Sequence, residues 1–126
     1  MGYVIDSNVV IDYLSEKLPN QSLRWLDTVI DDIPTISVIT RIEIIGYKHP
    51  PVTERLFIDF VNASSVIPLS EQIIEQTIDI RKKHKIKMPD AIVAATAIVL
   101  NLTLITHDVD DFRKIGKLKI IDPWSI

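Results

Sequence analysis

Residues 88–108 read MPDAIVAATAIVLNLTLITHD, and this stretch decides the fold class. Pro89 suits the first turn of a helix, where its missing N–H costs nothing. From Ala91 to Leu100 the side chains are almost all apolar and small, so the helix is buried on every side. Asn101 closes it. The short apolar run Leu102–Thr106 (LTLIT) then reads as a strand, and Asp108 follows two residues after the strand ends. A buried helix feeding directly into a buried strand is the repeating unit of an α/β protein.

The same alternation extends outward in both directions. Short apolar runs bounded by breakers predict further strands at Tyr3–Ile5, Thr35–Val38, Val66–Leu69 and Leu118–Ile121. Between them, Leu23, Leu26, Ile30 and Ile33 recur at three- and four-residue steps, with Asn20 as the expected N-cap. Leu56, Phe57, Phe60 and Val61 repeat the pattern after Thr53. Ile73, Ile74, Thr77, Ile78 and Arg81 do so after Pro68 and Ser70. Pro50–Pro51 marks a break between helices. Strands separated by helices imply a parallel sheet covered on both faces. The expected architecture is therefore a three-layer α/β/α sandwich around a central parallel sheet of about five strands. Residues 1–126 form one domain, with no internal repeat or linker.

Composition narrows the chemistry. The 126 residues include no cysteine, which excludes disulfides, thiol catalysis and thiolate metal sites. No apolar run approaches the roughly 20 residues of a membrane helix, and the N-terminus lacks a signal-peptide pattern. A cytoplasmic protein is expected. The formal net charge is −3, from 17 acidic residues against 14 Lys and Arg. If a metal neutralises four of the acids, the remaining surface is about +1, so net charge does not exclude a nucleic-acid partner. Basic residues also cluster. Arg81, Lys82, Lys83, Lys85 and Lys87 precede Asp90, while Arg113, Lys114, Lys117 and Lys119 follow Asp108. Such clusters either hold phosphates or form solvated faces.

In open α/β sheets, sites collect beyond the carboxyl ends of the strands. Four acids stand there: Asp6, Glu43, Asp90 and Asp108. Each also has a purely structural explanation. Asp6-Ser7-Asn8 is a run of N-cap residues. Thr40-Arg41-Ile42-Glu43 reads as a capping box. Asp90 would favour the positive end of its helix. Asp108, Asp110 and Asp111 crowd one turn that could simply be exposed. Against this, carboxylates gathered at one sheet edge repel one another unless a divalent cation is bound, and oxygen-only ligands favour Mg²⁺ or Mn²⁺.

Taken together, YVIDSNVVIDYL, SVITRIEIIGY, MPDAIVAATAI and LITHDVDDF resemble the PIN-domain family of metal-dependent ribonucleases, in particular the VapC-type toxins of prokaryotic toxin–antitoxin pairs. The resemblance runs nearly end to end, including the closing KIIDPW. It implies that Asp6, Glu43, Asp90 and Asp108 are the acidic quartet, with Ser7 as the small hydroxyl residue after the first acid. His107 stands where relatives often carry Arg or Asn, which leaves the fourth acid open between Asp108 and Asp111. The resemblance further implies an RNA substrate, a Mg²⁺ or Mn²⁺ cofactor, a cognate antitoxin and a homodimer. Apolar helical segments around Ile44–Tyr47 and Leu56–Phe60 are the expected dimer surface.

Other classes fit less well. A haloacid-dehalogenase-type phosphatase needs an Asp two positions after its first, where this chain has Asn8. The three glycines form no phosphate-cradling loop. The serious rival is a catalytically inactive PIN-like module that binds RNA or a protein partner without cutting.

Overall fold

Val4 and Leu104 face each other across two paired strands, and so do Ile5 and Ile105. Because successive strand residues point to opposite faces, the first pair enters one core and the second pair the other. The fold is built around that division. The computed structural model describes residues 2–30 and 32–126. Its elements run β1 (Tyr3–Ile5), α1 (Ser7–Leu14), α2 (Asn20–Ile30), β2 (Thr35–Ser37), α3 (Val38–Gly46), α4 (Pro51–Ala63), β3 (Ser65–Ile67), α5 (Glu71–Lys83), α6 (Met88–Val99), β4 (Thr103–Ile105), α7 (Val109–Phe112) and β5 (Ile120–Ile121), closed by a 3-10 turn at Pro123–Ser125.

All strand pairs are parallel. One core joins Val4 and Leu104 to α5, α6, Phe112 and Ile115. The other joins Ile5, Ile36 and Ile105 to α1, α2, α3 and α4. This is the expected three-layer sandwich. One expectation needs correcting: the five strands do not form one continuous ladder. Hydrogen bonds link β1-β4-β5 in one sheet and β2-β3 in another, with β2 running beside β1. The strands are only two or three residues long, so a small splay between neighbours removes a whole ladder.

Helix α6 is buried continuously from Ala91 to Ala97, as its apolar sequence requires. Its end is set by Asn101, whose φ of 55° is left-handed. The Asn101 N–H donates to the Ile98 carbonyl at 3.1 Å and the Leu102 N–H to the Ala97 carbonyl at 2.8 Å. This is a Schellman closure, in which Asn tolerates the left-handed residue. It reverses the chain into β4 and thereby aims Thr106 and Asp108 at the same end of the molecule as Asp90.

Several boundaries shift by a residue or two. Helix α2 begins at Asn20 and stops at Ile30, so Ile33 is off the helix and 73% exposed. Pro34 explains this, because the residue before a proline is pushed out of the helical region. Val38 opens α3 instead of ending β2. Strand β3 ends at Ile67, before Pro68, which cannot donate to a ladder. Helix α4 starts at Pro51, ahead of Thr53, with proline in its first turn. No helix among the described residues is long and apolar enough to cross a membrane.

Candidate active site

The sheet topology brings four distant acids to one rim. Asp6 is the residue after β1, and its backbone N–H donates to the Ile105 carbonyl of β4 at 2.9 Å. It is also the N-cap of α1, with Oδ1 accepting from the Ser7 N–H at 2.9 Å. Its other oxygen, Oδ2, accepts from the Thr106 hydroxyl at 2.8 Å and the Asn8 amide at 3.2 Å. Asp6 is only 4% exposed. Capping and bordering the site are therefore compatible, since Oδ1 caps the helix while Oδ2 takes the Thr106 and Asn8 bonds.

Glu43 is released from the capping box that its sequence suggests. Ser37 caps α3 instead, with Oγ accepting from the Ile39 N–H at 3.1 Å. Thr40 then falls inside the helix as a buried residue, and Glu43 lies one turn further along on an exposed face. There its Oε1 accepts from the Ser7 hydroxyl at 2.9 Å. Asp90 sits in the first turn of α6, half-buried. Asp108 follows β4, and its Oδ2 accepts from Asn8 Nδ2 at 2.9 Å.

Asp6, Glu43, Asp90 and Asp108 thus border one open cup of about 610 Å³, together with Ser7, Asn8 and the aliphatic and aromatic rim of Ile11, Ile42 and Tyr47. Asp111 does not border this cup. It lines an adjoining cleft that shares only Asp90 with the cup. Asp108 thus reaches Asp90 from the cup and Asp111 from the cleft, and Asp111 raises the Asp90 carboxyl more than Asp108 does.

Two residues that organise the site were invisible as such in the sequence. Asn8 links Asp6 to Asp108 through one amide nitrogen, while its carbonyl oxygen accepts from the His107 N–H at 3.2 Å. Thr106, fully buried, donates to Asp6 and accepts from the Asp108 N–H at 3.1 Å. Both join segments about a hundred residues apart. Asn8 registered only as a capping-type residue and Thr106 only as a strand end. The available signal was a polar residue at an otherwise apolar strand terminus, where burial demands a partner. His107 itself turns away, with Nδ1 paired to Asp122 at 3.1 Å and its ring against Trp124.

The electrostatics follow from this crowding. Burial pushes the Asp6 carboxyl up to about 6, opposed by its bonds from Thr106 and Ser7 and reinforced by the Asp90 and Glu43 charges. Asp90 is raised as well, by burial first and then by Asp111, Glu43 and Asp108, with Lys87 opposing. Among the described residues Asp90 accepts no hydrogen bond that would relieve it. A site with only oxygen donors, two raised carboxyls and one carboxylate without a hydrogen bond suits a hard divalent cation. No three of the described acidic or imidazole side chains are already close enough together to hold an ion. The carboxylates instead surround the cup, which suits a Mg²⁺-like ion that keeps several waters and binds few carboxylates directly.

Comparison with known proteins agrees with the geometry. Residues 3–118 match the PIN domain family. Among curated proteins none matches the chain. Among solved structures the chain is similar to a toxin–antitoxin complex from Klebsiella pneumoniae, at 27% identity, a TM-score of 0.80 and coverage of 99% of this chain and 100% of that one. VapBC-1 from nontypeable Haemophilus influenzae matches at 25% identity and a TM-score of 0.79, covering both chains fully. VapBC2 from Rickettsia felis, bound to a promoter DNA fragment, matches at 21% identity and a TM-score of 0.80, over 96% of this chain and 98% of that one. With the family matched over nearly its whole length and the fold shared end to end, this chain belongs to the PIN domain family.

Proposed function

We propose that the chain is a metal-dependent endoribonuclease that hydrolyses RNA phosphodiester bonds and serves as the toxin of a type II toxin–antitoxin pair. One observation carries the chemical part: Asp6, Glu43, Asp90 and Asp108 converge from four separate segments on one cup although their charges oppose one another. Asp6, Asp90 and Asp108 would hold Mg²⁺ or Mn²⁺, directly or through water, with Glu43 completing the set. The bound ion would supply a water of lowered pKa and stabilise charge on the scissile phosphate.

The chain's own residues do the rest. Ser7 orients Glu43 by donating to Oε1, leaving the second carboxylate oxygen to position the attacking water and accept its proton. Asn8 and Thr106 keep Asp6 and Asp108 in register. No serine or histidine nucleophile is required. Cleavage of a structured RNA should depend on added Mg²⁺ or Mn²⁺, and Asp90→Asn should abolish it. An Asp90→Asn protein that cuts at the parental rate would overturn the assignment and leave Asp90 as a helix-dipole partner.

The toxin role rests on the likeness to the Klebsiella toxin–antitoxin complex and on family resemblance. It entails a cytoplasmic protein, a cognate antitoxin that blocks the site, and a homodimer. A short upstream reading frame whose product co-purifies with this chain and suppresses its cleavage would establish the pair. For dimerisation, Ile44, Phe57 and Phe60 are core residues and unavailable, whereas Tyr47, just past α3, and Val52 and Leu56 on α4 remain exposed. Light scattering at micromolar concentration should give twice the chain mass; a monomer there would remove this part of the reading.

A further inference from the structure

The two basic clusters of the sequence are sorted by the fold. Lys83 pairs with Asp79 at 3.2 Å and lines a separate depression with Lys117. Arg113 pairs with Asp110 at 3.4 Å. Lys85 and Lys87, which lie between α5 and α6, meet Lys114, which follows α7. These three line one cleft of about 430 Å³ whose remaining wall includes Asp90 and Asp111. Lys114 Nζ donates to the Lys85 carbonyl, tying the two segments together. Asp90 borders both this cleft and the acidic cup, so the two spaces meet at that one side chain.

Lysines beside carboxylates ordinarily pair with them. Here none of the three ammonium groups forms an ion pair with Asp90 or Asp111 among the described residues. Three lysines without a carboxylate ion pair therefore line one cleft, Lys114 held on the Lys85 carbonyl and Lys87 close enough to Asp90 to lower its carboxyl, next to the place where a phosphodiester would be cut. The aromatic and aliphatic rim of the cup, Tyr47 with Ile42 and Ile11, borders the cup and not this cleft. A strand crossing the site would thus meet cations on the Asp90 side and an apolar rim elsewhere.

We propose that the Lys85–Lys87–Lys114 cleft is the subsite for the phosphate next to the scissile one in a single RNA strand. The proposal rests on the ribonuclease reading above and deepens it. Binding there neutralises a phosphate and releases its counterions, so it acts on affinity and register and leaves bond breaking to the cup. Lys83, although in the same basic run, takes no part.

The test uses a short, fluorescently labelled, mixed-sequence single-stranded RNA, with binding followed by anisotropy in EDTA over a range of salt. Losing one phosphate contact should make the slope of log K against log salt shallower by about 0.7. The Lys87→Ala/Lys114→Ala double variant should show that loss, and Lys83→Ala should keep the parental slope. With Mg²⁺ or Mn²⁺ added, the double variant should raise KM far more than it lowers kcat. Equal slopes for parent and double variant would overturn the proposal. Equal slopes together with a salt-sensitive grip on oligoglutamate in the parent alone would assign the cleft to an acidic protein segment instead. A parent that never cuts RNA but shows the lysine-dependent slope would sink the ribonuclease reading while keeping the cleft as an RNA phosphate site.

Discussion

At the scale of single residues, the site is a set of carboxylates held by neutral donors. Asp6 is the tightest case, with a hydroxyl, an amide and a backbone N–H all directed at it. Those donors favour the ionised form, yet burial outweighs them and its pKa stands at about 6. The sign of the linkage follows. The unfolded chain releases this proton near the ordinary carboxyl value of about 4, while the folded chain holds it until about pH 6. The folded state therefore binds more protons in that window, and metal-free stability falls as pH rises from about 4 to 6. The contribution from Asp6 alone is on the order of 3 kcal/mol. Asp6→Asn should flatten that part of the metal-free stability profile in urea titrations between pH 4 and 7. An unchanged profile would show that the Asp6 environment is not the one described.

At the scale of elements, what could be read from sequence was what local chemistry decides. The α6–β4 unit was legible because its apolar run, its proline start and its asparagine stop all lie within 21 consecutive residues. Three of the acids were legible together because Asp6 and Asp108 follow strands and Asp90 opens a helix. Glu43 was legible only as one of two alternatives, since a one-turn shift in where α3 begins moves capping from Thr40 to Ser37. The Asn8 and Thr106 bridges were hidden because their partners lie about a hundred residues away, and the break between β1 and β2 depends on splay, which leaves no mark in sequence. Asn101 gives the sharpest check at this scale. Its left-handed backbone suits Gly and penalises β-branched residues. Asn101→Gly should leave stability nearly unchanged, while Asn101→Val should cost about 1–2 kcal/mol in denaturant unfolding. Equal stability of the two variants would mean that α6 does not end in the closure described.

At the scale of the whole molecule, the fold assembles like charges at one end of a chain whose net charge is already −3. Without a cation this arrangement is costly: burial first, and neighbouring carboxylates second, raise the carboxyls of Asp6 and Asp90. The site is thus built at the expense of the apo protein's stability, and a bound ion should return what was lost. An ion present at about a hundredfold its Kd adds about 2.7 kcal/mol to the folded state, which for a domain of this size raises Tm by roughly 10 °C. Chelator should reverse the gain. Asp90→Asn separates the two parts of the argument. Removing one charge relieves the repulsion, so the metal-free variant should melt at or slightly above the parent. It should also gain much less from Mg²⁺ or Mn²⁺, because the cup has lost a carboxylate. If Asp90 served only its helix dipole, the metal-free variant would instead lose about 0.3–1 kcal/mol, and both proteins would respond to the ion alike. Differential scanning fluorimetry of the two chains, with and without metal, distinguishes these outcomes without requiring any RNA to be cut.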